Sequence, residues 1–98
     1  MIDISDYKGR RIHFIGIGGC SMSGLAQILD NLGYSVSGSD QRQSAFTDTL
    51  QKRGIPVEIG HDAAHVEGAG LVVYTAAIKP SNPEYAYAVQ HHIPMLER

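Results

Sequence analysis

The chain has a single cysteine, Cys20, so no internal disulfide can form, and this usage fits a reducing compartment. It also lacks a long apolar run. The longest, residues 71–78 ("LVVYTAAI"), falls far short of the roughly 20 residues that a membrane helix needs. The opening "MIDISDYKGRR" is acidic and then basic, with no apolar stretch of the kind a signal peptide carries. The eight Lys and Arg are scattered, which leaves no basic stripe for nucleic acid and no cluster for anionic lipid. No repeat, low-complexity segment or linker is visible. A phosphate loop of the Gly-x-x-x-x-Gly-Lys-Ser/Thr type is missing as well, because Lys8, Lys52 and Lys79 all stand outside such a pattern. The expectation is a soluble cytoplasmic domain with neither a nucleic-acid nor a membrane partner.

What is present is ordinary for one folded domain: 98 residues, 43% hydrophobic and 18% charged, with a net charge of −2. Residues 12–17, "IHFIGI", read as a buried parallel strand. A helix follows from about Ser21 to Leu32. Met22, Leu25, Ala26, Leu29 and Leu32 share one face of it, and Gly33 lies past its end. "YSVSGSD" is a second strand. Ser44 can cap a second helix that turns Phe46 and Leu50 inward. "IPVEI" is a third strand, and Pro56 places it at a sheet edge. Asp62 can cap a short turn over "AAHV", and "GLVVY" is a fourth, buried strand. In "NPE", Asn82 is an N-cap, Pro83 takes the first helical position and Glu84 lies at the positive end of the dipole of a helix running to about His92. "IPML" is a last edge strand. The alternation predicts an α/β fold: three layers around a five-stranded parallel sheet in the order 3-2-1-4-5, with ligands bound where the order reverses between strands 1 and 4.

Gly16, Gly18 and Gly19 join the first strand to the first helix. Such glycines allow a tight turn and a close approach of backbone to a pyrophosphate, and the helix N-terminus offers free N–H groups. Ser21 stands at the third position of the glycine motif, where its hydroxyl can cap the helix or donate to a phosphate. Asp40 ends the second strand, where an acid commonly accepts hydrogen bonds from a ribose; a turn cap is the bland alternative. A tight turn with no ligand is the corresponding alternative for the loop.

Cys20 lies near a helix N-terminus, which suits either a nucleophile or a small residue in a tight loop. His61 and His65 have the spacing of a zinc-binding pair but no evident third ligand, so a polar contact from His61 to a ligand is the preferred reading. His91 and His92 suit a helix C-terminus. Thr75 offers a hydroxyl, and Ala76 and Ala77 offer backbone groups beside small side chains, suited to a ring or a sugar; an ordinary loop is equally compatible.

Taken together, "HFIGIGG", "MSGLA", "SGSD", "GH" and "AIKPSNPE" resemble the N-terminal domain of the Mur ligase family of bacterial peptidoglycan synthesis, and specifically its alanine-adding branch. The family's loop usually carries glycine where this chain has Ser21. The resemblance implies that residues 1–98 form a Rossmann-like domain binding the UDP part of UDP-N-acetylmuramate, excised from an amide ligase that uses ATP and Mg²⁺. Central ATP-binding and C-terminal domains would be its partners in the full chain, and no cofactor is expected in this part. By the same resemblance, the loop Gly18, Gly19, Cys20, Ser21 and Met22 would hold the diphosphate. Asp40, His61 and Thr75, with Ala76 and Ala77, would surround the uridine. A murein-tripeptide recycling ligase, a free-standing NAD-binding regulatory domain and a domain that has lost its ligand and serves only as an interface are the rival readings.

Overall fold

The computed structural model describes residues 2–98. Five parallel strands, β1 (Arg11–Ile15), β2 (Ser35–Asp40), β3 (Val57–Ile59), β4 (Leu71–Tyr74) and β5 (Met95–Glu97), form one sheet in the order β3-β2-β1-β4-β5. Helices α1 (Cys20–Asn31) and α2 (Ala45–Lys52) carry the chain from β1 to β2 to β3, and α3 (Pro83–Gln90) carries it from β4 to β5. The fold and strand order are those expected from the sequence, and both proline-preceded strands lie at the edges. No helix among the described residues is long and apolar enough to cross a membrane.

The period-two alternation of the strands sorts side chains into two unlike faces. Ile12 and Phe14 of β1, Val36 of β2, and Leu71 and Val73 of β4 pack with Met22, Ala26 and Leu29 of α1 and with Leu50 of α2. Each large buried side chain of this kind contributes about 1.5–3 kcal/mol. On the other face, Ile15, Val66, Ala69, Val72 and Ala88 form a smaller apolar cluster under α3. Beside it the same face is polar: His13 of β1 and Ser37 and Ser39 of β2 are all buried there.

Two inward assignments are corrected. Phe46 is exposed, and Thr47 and Leu50 are the buried residues of α2. Ser44 and Thr47 form a reciprocal capping box that starts the helix at Ala45. Thr47 and Leu50, three apart, line the inward face; Phe46 lies about 100° from Thr47 and about 40° from Leu50, on the flank of that face, where it stays exposed. Leu32 is also exposed, because α1 ends at Asn31 and the chain turns at Gly33 with φ +91°. The remaining helix ends differ from expectation by a residue or two. His91 closes α3 and stacks on Tyr87 with ring centroids 4.0 Å apart.

Candidate functional site

At the end of β1 the chain reverses through Gly16, whose φ of +82° suits glycine. The N–H groups of Gly16 and Ile17 both donate to the Ser39 carbonyl, at 2.8 and 2.9 Å, which ties the turn to the end of β2. Gly18 then donates its N–H to Asp40 Oδ2 at 2.9 Å. A Cβ on Gly18 would lie 2.8 Å from that oxygen and 3.0 Å from Thr47 Cγ2, so a side chain here would push the Asp40 carboxylate out of its present place. Asp40 thus anchors the turn and keeps lone pairs for a further donor.

Helix α1 begins at Cys20 with Gly19 as N-cap and no side-chain cap. Its first-turn amides at Cys20, Ser21 and Met22 have no carbonyl four residues back within the helix, and together with the helix dipole they favour an anion. The Met22 side chain belongs to the core, so its offer to a ligand is the amide. Ser21 does not cap α1; its Oγ accepts from Arg98 Nε at 2.9 Å, which brings a guanidinium to the same helix end. Cys20 is exposed, with no histidine or carboxylate bonded to its thiol among the described residues.

A cavity of about 480 Å³ opens at the carboxyl end of the sheet, bounded by Gly16, Asp40, Gln41 and His61 on one side and residues 77–79, Ser81 and Asn82 on the other. Three expected residues, Asp40, His61 and Ala77, meet in this wall; Thr75 and Ala76 lie just before it along the chain.

Behind the wall sits Glu84, fully buried. Its Oε1 accepts from His13 Nε2 at 2.6 Å and from Ser39 Oγ at 2.7 Å. Its Oε2 accepts from His65 Nδ1 at 2.9 Å and from the Asp62 N–H at 3.1 Å, with His61 Nδ1 at 3.4 Å. His13 Nδ1 lies 2.9 Å from Ser37 Oγ, which in turn accepts from Arg11 Nη1 at 2.6 Å. Burial alone would push the Glu84 carboxyl up, but the bonds from His13, Ser39 and His65 outweigh it and hold the group down at about 2. Burial pushes the His13 imidazole down, so the ring is held neutral. His61 and His65 therefore both turn Nδ1 onto a carboxylate and do not converge as a zinc pair. Among the described residues no group of three His, Cys, Asp or Glu is placed to hold a metal.

Residues 11–98 match the Mur ligase family, catalytic domain. The chain belongs to the Mur ligase family. It is 56% identical over 91 residues to a UDP-N-acetylmuramate–L-alanine ligase of Acetivibrio thermocellus, a match covering 93% of this chain and 19% of the relative. The crystal structure of UDP-N-acetylmuramate-alanine ligase from Thermotoga maritima superimposes with a TM-score of 0.88 at 36% identity, over 91% of this chain and 21% of that one. A ligase of Neisseria meningitides described as UDP-N-acetylmuramate:L-alanyl-gamma-D-glutamyl-meso-diaminopimelate ligase gives 0.82 at 32% identity, over 90% of this chain and 28% of that one. The chain spans about a fifth of the length of the curated relatives it matches.

In this Mur ligase domain, Lys79 and Asn82 line the candidate cavity, Glu84 and Ser39 lie behind it and Arg98 reaches the α1 N-terminus, placements that the motifs did not indicate. One signal was available. Ser35, Ser37 and Ser39 recur at period two in "SVSGSD", which marks a polar face on a strand that is otherwise buried.

Proposed function

We propose that this domain holds the uridine diphosphate end of UDP-N-acetylmuramate, within a cytoplasmic ATP-dependent ligase that adds L-alanine to it. The observation that carries the reading is the cavity bounded by Gly16 and Asp40, the two residues that anchor a glycine turn leading into an uncapped helix N-terminus. A diphosphate suits the Cys20–Met22 amides and the neighbouring Arg98, and a nucleoside brings donors to Asp40 and His61. Kinship with alanine ligases at about half identity favours this substrate over that of the tripeptide-recycling relatives. Holding the nucleotide handle positions the distant lactyl carboxylate for activation and attack by L-alanine, so that remote binding energy lowers the barrier at the reacting centre.

The residues present do not fit the ATP and Mg²⁺ of that reaction. The sequence has no phosphate loop, and no three metal-ligating side chains converge among the described residues. We assign that chemistry to the other domains of the full ligase.

Calorimetry with the chain should give tighter binding of UDP or UDP-N-acetylmuramate than of NAD or NADH. The reverse order would replace this reading with that of an NAD-binding regulatory domain. Asp40→Ala should weaken UDP about ten-fold or more, since hydrogen bonds to a charged acceptor are worth roughly 1.5–3 kcal/mol and the Gly18 amide also loses its anchor. Unchanged UDP affinity in a folded variant would reduce Asp40 to a turn cap.

A further inference from the structure

We propose that Glu84 is a positioning residue that, together with Ser39, fixes the tautomer of His61 and so sets what the cavity wall offers a nucleoside. The inference rests on the uridine reading above for its ligand, but its geometry is a property of the free chain. Ser39 Oγ spends its proton on Glu84 Oε1 at 2.7 Å, which leaves only lone pairs for His61 Nδ1 at 3.0 Å. The other neighbour of Nδ1, Glu84 Oε2 at 3.4 Å, is a carboxylate oxygen and accepts only. Both partners of Nδ1 are acceptors, so in the neutral ring the proton sits on Nδ1. Nε2 is then a bare acceptor with no partner among the described residues, on a side chain that lines the cavity.

Glu84 cannot turn away to release this arrangement. It is fully buried, and its remaining lone pairs are taken by His13, His65 and the Asp62 amide. The start of α3 sets its place: Asn82 Oδ1 accepts from the Glu84 N–H at 2.9 Å, which fixes the first turn of the helix.

An acceptor at His61 Nε2 selects a ligand that brings a donor to that point. In a uridine nucleotide the donors are the uracil imide N–H and the ribose hydroxyls. Cytosine has an acceptor at the imide position, and 2′-deoxyuridine lacks one hydroxyl.

The first test needs no ligand. Long-range ¹H–¹⁵N correlation spectra of the ¹⁵N-labelled chain at pH 8, where free imidazole is neutral, should show His61 as the Nδ1–H tautomer. Glu84→Gln should make His61 a mixture of both tautomers, because an amide nitrogen beside Ser39 frees that hydroxyl to donate back to Nδ1. Ser39→Ala, a smaller change, should also reduce the Nδ1–H population. An Nε2–H tautomer in the unaltered chain would overturn the proposal whether or not either variant folds. Unchanged His61 shifts in a folded Glu84→Gln chain would also overturn it.

Binding is the second readout. UDP should bind about ten-fold more tightly than CDP if the imide N–H is the donor, or than dUDP if the 2′-hydroxyl is. The preference should shrink several-fold in either variant. Equal affinity for all three and for 3′-deoxy-UDP would refute the selecting role of His61. Failure of UDP to bind at all, with the Nδ1–H tautomer observed, would instead count against the uridine reading.

Discussion

Replacing Glu84 with alanine is expected to destabilise the chain by about 3–5 kcal/mol. The change strands the His13 Nε2–H, the Ser39 hydroxyl, the His65 Nδ1–H and the Asp62 amide, three of them side-chain donors that met on one buried carboxylate. Each buried polar group left without a partner costs about 1–3 kcal/mol, and a void is added where the side chain stood. Some tautomers and rotamers will readjust, which is why the expected total is below the plain sum. For a domain of this size that is a large share of a stability of about 5–15 kcal/mol. It corresponds to a fall in Tm of roughly 15 °C or more. Glu84→Gln, which keeps the shape and one acceptor, should cost less. Thermal melts of the two variants compared with the parent decide the matter, and a loss below about 1 kcal/mol for Glu84→Ala would mean that the carboxylate is not the hub the hydrogen bonds indicate.

Acid should unfold this chain through the same group. The folded carboxyl of Glu84 lies at about 2, below its ordinary value of 4.5. A depressed carboxylate stabilises the folded state above the unfolded value, and that contribution is lost as pH falls from about 4.5 through about 2. At about 1.4 kcal/mol per pH unit of difference, the full loss is about 3 kcal/mol. His13 works in the same direction but earlier. Burial lowers its imidazole below the ordinary 6.5, so the unfolded chain takes up this proton first and stability begins to fall below that pH. Denaturant midpoints measured from pH 8 to pH 2 should therefore decline in two stages. In Glu84→Gln the stage below pH 4.5 should flatten. If the two proteins show parallel profiles over that range, the carboxylate is not the source of the acid sensitivity.

The order of strands was legible because its determinants are local. Short apolar runs alternate with helical periodicity, prolines mark the edge strands at Pro56 and Pro94, and Asn82-Pro83 announces a helix start. A parallel sheet with right-handed crossovers then leaves few topologies open. The glycine turn and the positions of Asp40 and His61 at the carboxyl ends of their strands were legible as well, since strand and turn signals are local.

Phe46 shows where local reading stops. The Ser44 cap was legible, but Phe46 and Thr47 flank Leu50 on opposite sides, and packing against the sheet decided that the Thr47 flank is buried and the Phe46 flank exposed. Glu84 shows it more strongly. By itself the sequence placed this acid at a helix N-terminus and offered a dipole as its reason. Tertiary structure alone decided that the helix start would lie over the polar face of β1 and β2, so that His13, Ser39 and His65, which are distant in the chain, converge on one carboxylate. Hydrogen bonds between residues 19, 45 and 71 positions apart leave no periodic trace, because neither partner's own segment needs the other to form. Local preference thus determined the strands, the turn and the helix starts at Ser44 and Asn82, and packing of the β4–β5 crossover against the sheet decided the chemistry behind the cavity.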